Sequence, residues 1–172
     1  MLISTHCVNA RDGPSSLVPN LAVLNVEATD MPAEASTTHS HAEPLKGGVV
    51  PYLMLDGAGA AIDFYKQALG AKEIGERAKM EDGRIMNARI DVNGNSVMVM
   101  DPMPEHGHPA ASHESFNLHL HVDDADRWFD RAVAAGCTVL MPMSLQFWGD
   151  RYGMVQDPFG VRWGFGTTPA RQ

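Results

Sequence analysis

From Val49 onward the chain switches repeatedly between a strand rhythm and a helix rhythm. Residues 49–55 are a short apolar run of strand length. Ile62, Tyr65 and Leu69 then recur at three- and four-residue spacing, which predicts a helix over about 58–69 that stops at Gly70. Residues 72–80 read as a strand and Glu81-Asp82-Gly83 as a turn. Residues 84–92 and 95–100 pair across Asn93-Gly94, a strong short-range hairpin signal. The order is β-α-β-β-β, and it then repeats. Residues 116–122 are a strand, and Asp123 or Asp124 caps a helix over about 125–135 with Trp128, Ala132 and Ala135 on its buried stripe. Gly136 ends that helix, 138–141 is a strand interrupted by Pro142, and 152–156 and 161–165 form a last hairpin around Asp157-Pro158-Phe159-Gly160. Gly70 and Gly136 lie 66 residues apart, and the same offset pairs Ser96–Val99 with Arg162–Phe165. A fixed period of this kind marks a duplicated unit, and a cleft between the copies is a natural place for a small ligand.

The pattern sets the boundaries. Residues 1–47 sustain neither period and are expected to be a flexible, disordered leader, in which Met31 is a second candidate for the initiating residue. Module one is 48–101, a linker loop covers 102–114, module two is 115–168, and 169–172 is a tail. With 172 residues, 44% hydrophobic and 20% charged, the chain supports one domain with a real core. A net charge of −8 argues against nucleic-acid partners and against an anionic membrane surface. No apolar run approaches the roughly 20 residues of a membrane span, and no basic start precedes an apolar signal core. Cys7 and Cys137 form no disulfide framework, which fits a reducing, cytoplasmic location.

Four stretches carry a family resemblance: Ile62-Asp63-Phe64-Tyr65 with Gly70; Glu105-His106-Gly107-His108-Pro109; Phe147-Trp148-Gly149-Asp150-Arg151-Tyr152-Gly153; and Asp157-Pro158-Phe159-Gly160-Val161-Arg162-Trp163. Over about 48–168 the chain resembles the vicinal oxygen chelate superfamily (glyoxalase, bleomycin-resistance and dioxygenase proteins), in particular its PhnB-like branch. The resemblance implies an α+β fold in which two tandem βαβββ modules form curved mixed sheets around a cleft, with helices outside, and a homodimer. It leaves the reaction open, because such proteins include lyases, dioxygenases, isomerases and drug binders. It further implies metal-ligand positions near Val50 and Met98 and at Asn117 and Gly164. None is a good donor for a hard divalent ion, and neither are the neighbours Pro51, Val97, Val99, Trp163 and Phe165. No cofactor is therefore expected.

Other residues carry candidate chemistry. His106, His108, His113, His119 and His121 crowd into sixteen positions. His119 and His121 alternate on a strand, so both rings leave one face together with Asn117. Two imidazoles at that spacing, completed by Glu114, would make a relocated metal site; the plainer reading is a neutral, pocket-lining His119. Arg151 and Tyr152, with Trp148, suit a planar or anionic molecule, although Arg151 could equally pair with Asp150 or brace a dimer. Asn87 stands where relatives often carry His, and Arg89 alternates with it. Met86, Met98, Met100, Met141, Met143 and Met154 offer an adaptable apolar lining. No Gly-rich phosphate loop, Gly-x-Ser-x-Gly elbow or Cys-x-x-Cys pair occurs. The expectation is a metal-independent cleft for a small molecule, lined by Asn87, Asn117, His119, Trp148, Arg151 and Tyr152, with His119 as the one candidate general base. Three alternatives stand beside it: a metal-dependent lyase or dioxygenase using His119 and His121, sequestration without catalysis, and a vestigial cleft on a protein-association module.

Overall fold

The computed structural model describes residues 43–169; the expected leader up to residue 42 and the last three residues lie outside them. Module one runs β1 (Tyr52–Met54), α1 (Ala58–Ala68), β2 (Lys72–Glu73), β3 (Ala78–Lys79), β4 (Ile85–Val92) and β5 (Asn95–Met100). Module two runs β6 (Leu118–His121), α2 (Ala125–Ala135), β7 (Thr138–Leu145), β8 (Arg151–Gln156) and β9 (Arg162–Thr167). The first sheet has the order β1-β5-β4-β2, with β3 also on β4, and the second has β6-β9-β8-β7. In each, the first strand lies parallel to the last and the other pairs are antiparallel. The two tandem βαβββ modules thus share one topology, with curved mixed sheets around a cleft and the helices outside.

Several boundaries differ from the sequence expectation. The single strand expected over 72–80 is two short pieces, broken where Gly75 takes φ +73°. The 138–141 strand instead continues through Pro142 to Leu145. It can do so because β7 is a sheet edge, and its register shifts between Met141 and Ser144, where the missing proline N–H goes unneeded. On α2 the fully buried stripe is Ala125, Phe129 and Ala132, with the expected Trp128 and Ala135 only partly buried against the same core. Trp128 is half-buried and takes the Arg131 guanidinium over its ring at 4.4 Å, while Arg131 Nε donates to the Ala68 carbonyl at the end of α1. Within the expected leader, Lys46 already belongs to the domain: its N–H donates to Ser96 Oγ and its ammonium reaches Asp91.

One device caps both helices. The backbone N–H groups of Gly57 and Ala58 donate to Asp101 Oδ1, and the N–H of Ile85 to Asp101 Oδ2. The carboxylate thus sits on the positive end of α1 from just beyond β5. Thr167, 66 residues later, does the same in module two, accepting from Ala125 N at 2.8 Å and donating to the Val122 carbonyl. Asp124 adds the expected local cap by accepting from Arg127 N.

The helix-facing sides of both sheets merge into one core containing Leu53, Ile62, Tyr65, Ile90, Val99, Val155, Trp163 and Phe165, and α1 packs on α2. Cys137 belongs to it; burial, with help from the charge of Asp157, pushes its thiol up to about 12, so it is an inert filler. Asp157 is the polar centre of this core at 4% exposure. It accepts from Tyr65 Oη at 2.7 Å, Trp163 Nε1 at 2.9 Å, and the N–H groups of Phe159 and Val161, so a helix of module one is fastened to the last hairpin of module two. Burial and the Asp157 charge together hold the Tyr65 phenol well above its ordinary pKa. Asp157→Ala strands four donors, three of them buried, and is expected to cost at least about 3 kcal/mol, whereas Tyr65→Phe removes one charge-assisted bond at about 1–3 kcal/mol. Urea unfolding of both variants checks this ordering.

Candidate functional site

Alternation along the strands separates a helix face from an open face. On β6, Leu118 and Leu120 pack toward the core while His119 and His121 are exposed; on β9, Trp163 and Phe165 are buried and Gly164 and Gly166 face the other way. Register then sets His119 beside Gly164, which lies beside Met154, and His121 beside Gly166, which lies beside Tyr152.

Those two glycines shape the site. A Cβ on Gly164 would lie 2.5 Å from Tyr152 Oη, and one on Gly166 would lie 2.7 Å from His119 Cε1. Bare backbone lets both rings lie flat on the sheet, where they stack at 5.6 Å between centroids and 18° between planes. Trp148 meets Tyr152 edge-on at 6.1 Å and Phe147 meets Trp148 at 4.8 Å, extending an aromatic shelf toward the 146–150 loop. Asn117 Nδ2 lies 3.7 Å from Met154 Sδ at the near end of β6. Partial burial, reinforced by the neighbouring His121, lowers the His119 pKa from its ordinary value, and burial raises that of Tyr152. At neutral pH the shelf is therefore an uncharged imidazole on an uncharged phenol.

The expected set is only partly brought together. His119, Tyr152, Trp148 and Asn117 share this region, and Asn87 lies on the open face of the first sheet. Arg151 does not join them. It alternates with Tyr152, points to the helix side, and holds Asp126 of α2 with both Nε and Nη2 at 2.7 and 2.6 Å. It does not pair with Asp150 either, which accepts from Thr168 Oγ1.

Register also revises the inherited metal positions. Tyr52, not Val50, faces Met98, and His119, not Asn117, faces Gly164. The corrected quartet is Tyr52, Met98, His119 and Gly164, with one imidazole as its only good donor, so it does not fit a divalent ion. Among the described residues, no three His, Cys, Asp or Glu side chains are grouped to hold a metal. His119 and His121 lie 6.3 Å apart between ring centroids, and Glu114 completes no site with them. Two features had only faint sequence signals. The glycine alternation Gly164-x-Gly166 opposite His119-x-His121 was visible as spacing, but its meaning depends on register. An open depression of about 640 Å³ is lined by Asn93, His121, Asp123, Arg127, Trp128 and Thr168 among others, and by none of His119, Tyr152 or Trp148.

The chain belongs to the Glyoxalase/Bleomycin resistance protein/Dioxygenase superfamily, whose profile matches residues 52–165. It is 41% identical over 128 residues to the uncharacterized protein Mb0911c of Mycobacterium bovis, covering 71% of this chain and 83% of that one. Among solved structures, protein PA1353 from Pseudomonas aeruginosa is 30% identical with a TM-score of 0.58, over 69% of this chain and 96% of that one. A Bacillus cereus structure titled as a putative 3-demethylubiquinone-9 3-methyltransferase, PhnB protein, shares the fold at 18% identity and a TM-score of 0.56, over 70% of this chain and 99% of that one.

The depressed pKa of His119 has a measurable consequence. Its folded pKa lies below its unfolded one, so protonation favours the unfolded chain. The stabilisation is complete above the ordinary histidine pKa and is lost as pH falls through the folded value. NMR titration of the ring should give a midpoint below that of a free histidine, rising in His121→Asn. A midpoint above the free value would contradict the assignment.

Proposed function

We propose that this is a PhnB-like member of the superfamily that holds a small planar molecule against the His119–Tyr152 shelf without a metal ion. The observation that carries this reading is the pair of stacked rings lying over Gly164 and Gly166. An open, flat, uncharged aromatic surface gains most from another flat ring, and Trp148 supplies a side wall. Asn117, at the strand entry, offers an amide to orient a polar edge of the ligand. Met154, beside it, supplies a deformable apolar contact. A neutral His119 also has the protonation state a general base needs near pH 7, so proton abstraction from a bound molecule is the reaction this shelf would support. Sequestration without chemistry uses the same surface.

Naphthamide, a planar and uncharged probe, tests the reading. It should shift the His119 and Tyr152 NMR signals and quench Trp148 fluorescence. Gly164→Ala, which pushes the phenol off the sheet, should weaken binding about tenfold or more while the protein stays folded. Metal analysis of protein made without a His tag should find no stoichiometric divalent ion; stoichiometric zinc or manganese that is lost in His119→Ala would overturn metal independence in favour of the lyase or dioxygenase alternative.

The homodimer is proposed on separate grounds. The edge strand β7 presents Val139, Leu140, Met141 and Leu145 to solvent, and the loop after it presents Phe147 at 96% and Trp148 at 52% exposure. A contiguous apolar edge of this kind invites pairing with a second copy. Sedimentation should give twice the chain mass, and Leu145→Glu should shift the protein toward monomer. Monomer at micromolar concentration in the unaltered protein would exclude the dimer.

A further inference from the structure

Register lays out the open face of the second sheet in rows, with one residue from each strand. Two rows form the shelf: His121, Gly166 and Tyr152 in one, His119, Gly164 and Met154 in the next. A third row continues the same face. Arg162 of β9 lies beside Gln156 of β8. Asn117 falls on its other side, because the next residue, Leu118, pairs with Trp163. Each member alternates with a residue packed in the core: Trp163, Val155 and Leu118. Successive rows are two residues apart along a strand, about 7 Å. One bicyclic molecule lying on the shelf therefore reaches the third row, and both belong to a single hydrogen-bonded sheet.

The chemistry changes across that step. The shelf rows carry rings, a thioether and bare backbone, whereas the third row carries a guanidinium and two primary amides. Arg162 Nη1 donates to the Glu114 carbonyl at 3.2 Å, and Gln156 Nε2 to the Gly160 carbonyl at 3.1 Å. Among the described residues, Arg77, Arg84, Arg127 and Arg151 are fixed by carboxylates, but Arg162 is fixed by a carbonyl. A carbonyl orients a guanidinium without neutralising it. Arg162 Nε is buried, so the charge is partly withdrawn from water, which strengthens its pull on an anion set beside it. Asn117 Nδ2 reaches into the neighbouring row, where Met154 Sδ at 3.7 Å is a weak acceptor that a better one displaces.

We propose that the Asn117–Arg162–Gln156 row receives the anionic edge of the ligand, so that the molecule held on the shelf is an aromatic carboxylate. The proposal rests on the planar-ligand reading above and extends it, because shelf and charge lie on one face of one sheet. The guanidinium takes the carboxylate through its Nη N–H groups, and the Asn117 amide, released from Met154, adds a donor.

Naphthoate and naphthamide, alike in shape and different in charge, provide the test. The unaltered protein should bind naphthoate about tenfold or more tightly than naphthamide, with a shift in the Arg162 Nε–Hε NMR signal. Arg162→Met should abolish that preference and leave naphthamide affinity unchanged, which also shows that the sheet is intact. Arg162→Lys should keep part of the preference, and Arg89→Met, on the other sheet, all of it. Equal affinities in the unaltered protein, the result a carboxylate of the chain itself seated on Arg162 would give, overturn the anchor. So does a preference that survives Arg162→Met or is lost in Arg89→Met. If naphthamide shifts His119 and Tyr152 but charge makes no difference, the shelf reading stands and the anchor falls. If naphthoate moves Arg162 while neither probe moves the shelf rings, both the shelf reading and the aromatic-carboxylate assignment fall, and Arg162 is left as a simple anion contact.

Discussion

A single buried carboxylate, Asp157, decides whether the two modules act as one body. Its four donors come from a helix of the first module, an indole of the second, and the backbone of its own turn. Burying an acidic group in an apolar core is unfavourable unless every lone pair is used, and here the donors nearly saturate it. The same bonds fix the Tyr65 and Trp163 rings, which meet edge-to-face at 5.4 Å between the helices and the second sheet. Because Trp163 alternates with Gly164, the orientation of the open face is inherited from this buried contact. Chemistry on one side of β9 is positioned by packing on the other.

The open face is shaped by subtraction. Substitution of either Gly164 or Gly166 by any larger residue would lift a ring off the sheet, since a Cβ there would stand only 2.5–2.7 Å from the nearest ring atom. The glycines are central in the second sheet, where a missing side chain weakens packing. That local loss makes sense when the space is needed by Tyr152 and His119. Burial then keeps both groups in their neutral forms by moving their pKa values in opposite directions. Shape and charge state thus have one cause.

How much of this was legible in the sequence follows from the range of the signals. Periodicity gave both helices within a residue or two, and Asn93-Gly94 gave the hairpin, because those signals are local. Strand continuity through Pro142 was not legible, since it depends on β7 being an edge. Trp128 is only partly buried because its helical position also permits stacking under Arg131, and periodicity does not separate a core contact from a cation–π contact. Arg151 was misplaced for a simpler reason: alternation puts it and Tyr152 on opposite faces, and Asp126, its partner, is 25 residues away. Asp101 read only as the last residue of module one, yet it caps a helix 43 residues earlier. The metal positions each moved two residues along their strand, from Val50 to Tyr52 and from Asn117 to His119, and β6 sits one residue out of step with the 66-residue repeat; only register reveals either.

That one-residue slip bears on how the duplicated halves came to differ. In corresponding rows of the two sheets, Tyr52, Met98 and Arg89 stand where His119, Gly164 and Met154 stand in the other copy. The two open faces therefore differ: an aromatic surface cleared by glycine on one, Arg89 beside a flexible thioether on the other. What the halves still have in common is the scaffold, visible in Asp101 and Thr167 capping their helices from equivalent positions, while the residues that face outward from it have been free to specialise.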